Sequence, residues 1–72
     1  MPSAYKRAYI AKLLLNKYKF SITETENGAS VYKDRRCFSK GTNAHEAINA
    51  AIDRLEHAGA IDWHSLTVNI YQ

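Results

Sequence analysis

Seventy-two residues with 46% hydrophobic content make one small domain, residues 1–72, near the size at which a single core only just outweighs chain entropy. That composition excludes a disordered chain, and no apolar run approaches the roughly 20 residues needed to span a bilayer, so no membrane partner is expected. The formal net charge is +3, and the lone cysteine, Cys37, excludes an internal disulfide and fits a reducing, cytoplasmic setting. Residues 1–11 carry charge but no signal-peptide apolar block or cleavage site, so export is not expected.

In chain order, Ser3 is placed to cap a first helix from about Ala4 to Asn16, where Ala8, Ala11 and the leucines at 13 to 15 favour helix by propensity. Its apolar positions spread around most of the wheel. Ile10, Leu13 and Leu14 are the expected core face, with Lys6, Arg7, Lys12 and Lys17 outside. From Tyr18 the period changes to two. Tyr18, Phe20 and Ile22 alternate with Lys19, Ser21 and Thr23, the pattern of a half-buried strand. Asn27-Gly28 then gives a strong hairpin signal, because a type I′ turn needs positive φ at both central residues. That loop would set Glu24 opposite Val31 and Ile22 opposite Lys33, a mismatch that a bulge would relieve. Ala29 to Lys33 and Arg36 to Ser39 read as strand, either as one long bent strand or as two joined at Asp34-Arg35.

The strongest element is the second helix, within Thr42–Gly59. Ala44, Ala47, Ile48, Ala51, Ile52, Leu55 and Ala58 recur at three- and four-residue steps and form one stripe. Asn43 with Glu46 has the spacing of a capping box, and Gly59 supplies a left-handed residue to end the helix. Glu46, Asn49, Asp53, Arg54 and Glu56 form the outer face, and the alanines suit close approach to a sheet. Ala60–His64 reads as a connector, with Trp63 as a plug over the core. Ser65–Tyr71 reads as a last strand, with Leu66, Val68 and Ile70 on one side. The expected fold is therefore α+β, a small antiparallel sheet with helices packed on one face, in the order α-β-β-(β)-α-β. The terminal strand would either join that sheet or pair with a second copy to make a homodimer.

Charge is unevenly placed. Residues 1–40 hold nine of the ten Lys and Arg against three acids, a net of +6, and residues 41–72 carry a net of −3. If the second helix covers one face of the sheet, the other face would carry Lys19, Lys33 or Arg35, Arg36 and Lys40 around Tyr32. Cations interleaved with an aromatic can hold phosphates and stack a base. These six residues are the expected binding site. His45, His57, His64 and Cys37 are the only candidate ligands or nucleophiles, and no Cys-x-x-Cys or His-x-x-x-His pair is present. Asp53 and His57, four apart, read as a surface contact. Neither a metal, a cofactor nor an enzymatic activity is expected.

The stretch from Phe20 to Asp53, FSITETENGASVYKDRRCFSKGTNAHEAINAAID, resembles the phage ABA-sandwich domains of small bacteriophage proteins, through Thr42, Glu46, Ala47, Ile48 and Ala51. The same segment is similar to the strand–turn–strand–helix of ethylene-response-type and integrase arm-binding DNA-binding domains, with Lys33, Arg35 and Arg36 in the corresponding strands. The helix–strands–helix order is similar to double-stranded-RNA-binding domains, but Asn43, His45 and Glu46 stand where that family has lysines. The first resemblance implies a non-enzymatic phage or mobile-element protein in the host cytoplasm. Such a protein would inhibit a host protein or nucleoprotein complex by stoichiometric binding, as anti-CRISPR and anti-restriction proteins do. The alternative expectation is a DNA-binding module using the same basic face.

Overall fold

The computed structural model describes residues 3–70, which form two helices and five strands. Helix α1 spans Ala4–Asn16, and strands β1 (Ser21–Thr25), β2 (Gly28–Lys33) and β3 (Arg36–Gly41) follow it. Helix α2 spans Ala44–His57, and β4 (Ile61–Asp62) and β5 (Thr67–Val68) close the order. The fold is α+β, as the sequence leads one to expect. The first three strands form an antiparallel sheet in the order β1-β2-β3, and α2 lies across all three strands. Among the described residues, no helix is long and apolar enough to cross a membrane.

Both helix starts follow from their caps. Ser3 accepts from the Lys6 N–H at 3.2 Å, and Asn43 Oδ1 accepts from the Glu46 N–H at 2.9 Å. The capping box is shifted by one residue, because the Glu46 carboxylate reaches back to the Thr42 N–H and hydroxyl and not to Asn43. Ala47, Ile48, Ala51, Ile52 and Leu55 are buried on α2, while Ala58 is its exposed C-cap. Gly59 ends the helix at φ +73. On α1, Ile10 and Leu14 are fully buried and Leu13 only half so, which resolves the ambiguous wheel.

Helix α1 packs on α2, and it covers part of what the sequence presents as the outer face of α2. Asn49 is half-buried there. Arg7 of α1 donates to Asn49 Oδ1 at 3.1 Å and to Asp53 Oδ1 at 2.8 Å, so Asp53 pairs with Arg7 and not with His57.

The hairpin register differs from the one that Asn27-Gly28 suggests. The β1–β2 turn is Glu26-Asn27, and neither residue has positive φ; Gly28, at φ +139, is the first residue of β2. Shifting the loop by one residue sets Ile22 opposite Val31, so the two apolar side chains share the core face without a bulge in this hairpin. The bulge lies in the next one. Val31 faces Ser39 and Tyr32 faces Cys37, which leaves Phe38 as the extra residue. The β2–β3 connection is a two-residue turn, Asp34-Arg35, with φ of 53° and 68°, so it takes the type I′ signs without a glycine. Residues 29–39 are therefore two strands and not one.

The carboxyl-terminal region also departs from expectation. Instead of a single strand over Ser65–Tyr71, a two-residue β5 pairs with β4, inside the stretch that reads as a connector, and forms a separate small sheet. Leu66 at φ 54° breaks the run that would have made a longer strand. Tyr71 lies outside the described residues. Trp63 is half-buried against the core and donates to Glu56 Oε2 at 2.6 Å, in keeping with a plug.

Candidate anion-binding cleft

The register decides which side chains share a face. Ala29 and Val31 are buried under α2, so Lys33, two residues on, lies on the helix side, together with its cross-strand partner Arg36. Tyr32 and Lys40 lie on the opposite face among hydroxyls from Thr23, Thr25 and Ser30. The expected common basic face around Tyr32 is therefore not formed. Tyr32 and Lys33 are consecutive residues of β2 and so point to opposite faces whatever the register, while Lys40 lies on the Tyr32 side. Arg35 stands at the turn, and Lys19, at φ 64°, forms the exit from α1 just before β1. Ser21 pairs with Tyr32 at the start of β1, so Lys19, Lys33, Arg35 and Arg36 gather at the same end of the sheet.

At that end a cleft of about 530 Å³ opens between the β2–β3 turn and α2, lined by Phe20, Lys33, Arg36, Phe38, Arg54 and Ile70. Its floor is aromatic. Phe20 and Phe38 meet edge to face, with centroids 5.2 Å apart and planes at 88°. Cations flank the pair on both sides. Lys33 Nζ lies 5.7 Å from the Phe20 centroid, and the Arg54 guanidinium carbon lies 4.4 Å from that of Phe38. Arg54 is fixed there by a 2.8 Å hydrogen bond from Nη1 to the Phe38 carbonyl. The bulge contributes directly, since it turns Phe38 toward α2, beside Ser39, whose hydroxyl donates to the Ala47 carbonyl at 2.7 Å.

Acidic compensation at the cleft is slight. Asp34 is its one acidic lining residue and sits 3.5 Å from Lys33 Nζ in an exposed pair of small energetic weight. Among the described residues Lys19, Arg35, Arg36, Lys40 and Arg54 make no ion pair. By contrast, the acids of the second half are engaged within the chain. Asp53 is held by Arg7 and Glu56 by Trp63. The Thr42 hydroxyl, and after it the Thr42 backbone N–H, hold the Glu46 carboxyl below the usual carboxylate range. Asp62 is lowered too, by the Ser65 N–H, then by the Ser65 side chain and the His64 N–H. Of the acids on α2 only Asp53 is neutralised by a cation, Arg7; Glu46 and Glu56 are oriented by neutral donors and stay exposed anions, away from the lining of the cleft.

Arg54 and the two phenylalanines are the site residues that sequence reasoning missed. Arg54 is the only cation in residues 41–72, and that isolation within an acidic half was the available signal. Cys37 is exposed, pairs with Tyr32 across the strands and also borders the cleft, and no group of three or more His, Cys, Asp or Glu able to hold a metal occurs among the described residues.

No protein-family model, curated protein or solved structure matches this chain. What fold and site define is a small α+β domain, a three-stranded antiparallel sheet backed by one helix, with a cationic, aromatic-floored cleft at one end of the sheet.

Proposed function

We propose that this protein is a non-catalytic binding module of the host cytoplasm that attaches to a nucleic acid or nucleoprotein complex through its cationic sheet end. The observation that supports this reading best is the convergence of Lys33, Arg36 and Arg54 on one cleft, with Lys19 and Arg35 beside it and Asp34 as the one acid among its lining residues. Such a field steers polyanions and grips phosphates without base readout. Inhibition of a host nucleoprotein machine, as the phage resemblance implies, is part of the same proposal. Occupying a phosphate track is enough to block a competitor and needs no reactive group.

The test combines electrophoretic mobility with DNA and RNA across a salt series and recovery of partners from host lysate before and after nuclease treatment. The expected result is a shift that weakens linearly with log salt, with a slope that falls by just under about 1 for each cation removed among Lys33, Arg35 and Arg36. No shift at about 50 mM salt together with no recovered partner would overturn the proposal. A shift that none of these substitutions alters would move the footprint elsewhere on the molecule.

A further inference from the structure

We infer that the cleft between the β2–β3 turn and α2 is a subsite for an unpaired nucleotide, so that the ligand is a single strand, with one base held against Arg54 and the flanking phosphates on Lys33 and Arg36. This rests on the function proposed above and narrows it. Three observations carry it, beginning with concavity. The cations converge on a recess of about 530 Å³, within the range of small-molecule sites, and its floor is Phe20, Phe38 and Ile70. A duplex keeps its bases stacked inside a convex rod and offers only phosphates to such a recess. An unpaired strand can turn a base into it.

The second observation is the geometry of Arg54. Its guanidinium carbon lies 4.4 Å from the Phe38 ring centroid, and the hydrogen bond to the Phe38 carbonyl holds the group there. Arg54 is nevertheless exposed, so the planar group remains accessible to a ligand. Unpaired bases stack on guanidinium planes as they do on aromatic rings. Phe20 cannot serve in this way, since it is only 3% exposed; it supports Phe38 edge to face. Arg54 is thus the stacking surface, and the phenylalanines hold it in position.

The third observation is the split between charge and plane. Lys33 and Arg36 form a cross-strand pair on the turn side of the cleft, opposite the helix that carries Arg54. A nucleotide has the same division, an anionic backbone on one side and a flat apolar base on the other.

The experiment is fluorescence anisotropy at about 50 mM salt with labelled single strands of about 12 nucleotides, the matching duplex, and a single strand carrying abasic sites. The expected result is that the intact single strand binds about tenfold or more tighter than the duplex and the abasic strand. Arg54→Lys keeps the charge and removes the plane. It should lose most of that preference without changing the salt slope, whereas Lys33→Gln should lower the slope for every ligand. Thermal melts of both variants check that the fold is kept. Equal binding of all three ligands, or an Arg54→Lys variant that keeps the full preference, overturns the subsite and leaves polyanion binding intact. Absence of binding to any nucleic acid overturns the subsite together with the nucleic-acid form of the proposed function.

Discussion

Gly41 stands so close to Ala47 that a Cβ added to the glycine would lie 2.5 Å from the Ala47 backbone nitrogen and 2.7 Å from Glu46 Cβ. The last residue of β3 is thereby pressed against the first turn of α2, and the neighbouring atoms are mostly backbone, which cannot swing aside.

Gly41→Ala is therefore expected to destabilise the domain by about 2 kcal/mol or more through overpacking. Gly59→Ala provides the comparison, because Gly59 has positive φ but nothing within 4 Å of an added Cβ. It should cost about 1 kcal/mol from conformation alone. Urea denaturation of both variants checks the order. Equal losses would mean that the sheet–helix approach is looser than described.

Arg35 at φ 68° occupies a turn position that favours glycine. Arg35→Gly should raise stability by up to about 1 kcal/mol as the strain is relieved. The same change removes a cation from the sheet end and should weaken polyanion binding at low salt. Stability and affinity moving in opposite directions is the expected signature, read from denaturation and a salt titration on one preparation. A loss of both would show that the arginine supports the turn.

The Glu46 carboxyl, lowered by the Thr42 hydroxyl and N–H, links stability to pH. A folded-state pKa below the unfolded one adds stability that is fully present above the ordinary carboxylate range, from about pH 5 upward, and is lost as pH falls through the folded value. Thr42→Val removes the hydroxyl. The variant should be less stable than the parent at neutral pH and converge with it in acid, where Glu46 is protonated in both. Melting temperatures across the acid range, with an NMR titration of Glu46, check this. A constant gap at every pH would assign the loss to packing.

Arg7 joins the helices through Asn49 and Asp53, and only 23% of its side chain is exposed. Arg7→Ala should cost about 1 kcal/mol, as lost hydrogen bonds and lost stem packing together. Asp53→Asn should cost less, since the Asn49 contacts remain. A double-mutant cycle measures the share due to the pair.

The helices were legible because their signals are local. Asn43, the alanine–isoleucine stripe and Gly59 mark α2 without reference to the rest of the chain. Register was not legible in the same way. Asn27-Gly28 looks like the central pair of a I′ turn, yet Gly28 sits inside β2, and it is Asp34-Arg35 that takes the positive φ angles. Alternation has a period of two, so that single step decided that Ile22 opposes Val31 and not Lys33. The cations at the sheet end could be counted in the sequence, but the cleft could not be drawn. It depends on a bulge at Phe38 and on Arg54, sixteen residues further along the chain on α2, reaching back to it, both products of tertiary packing.

The Tyr18 hydroxyl donates to the Val68 carbonyl at 2.8 Å, and Val68 is itself buried while paired to Ile61. The carboxyl-terminal segment is thus clasped to the exit of the first helix by a polar latch and an apolar peg. Swapping this strand into a neighbouring molecule would require undoing both before any new bond formed, so a subunit exchange by that route would be slow, and Tyr18→Phe would be the substitution to hasten it.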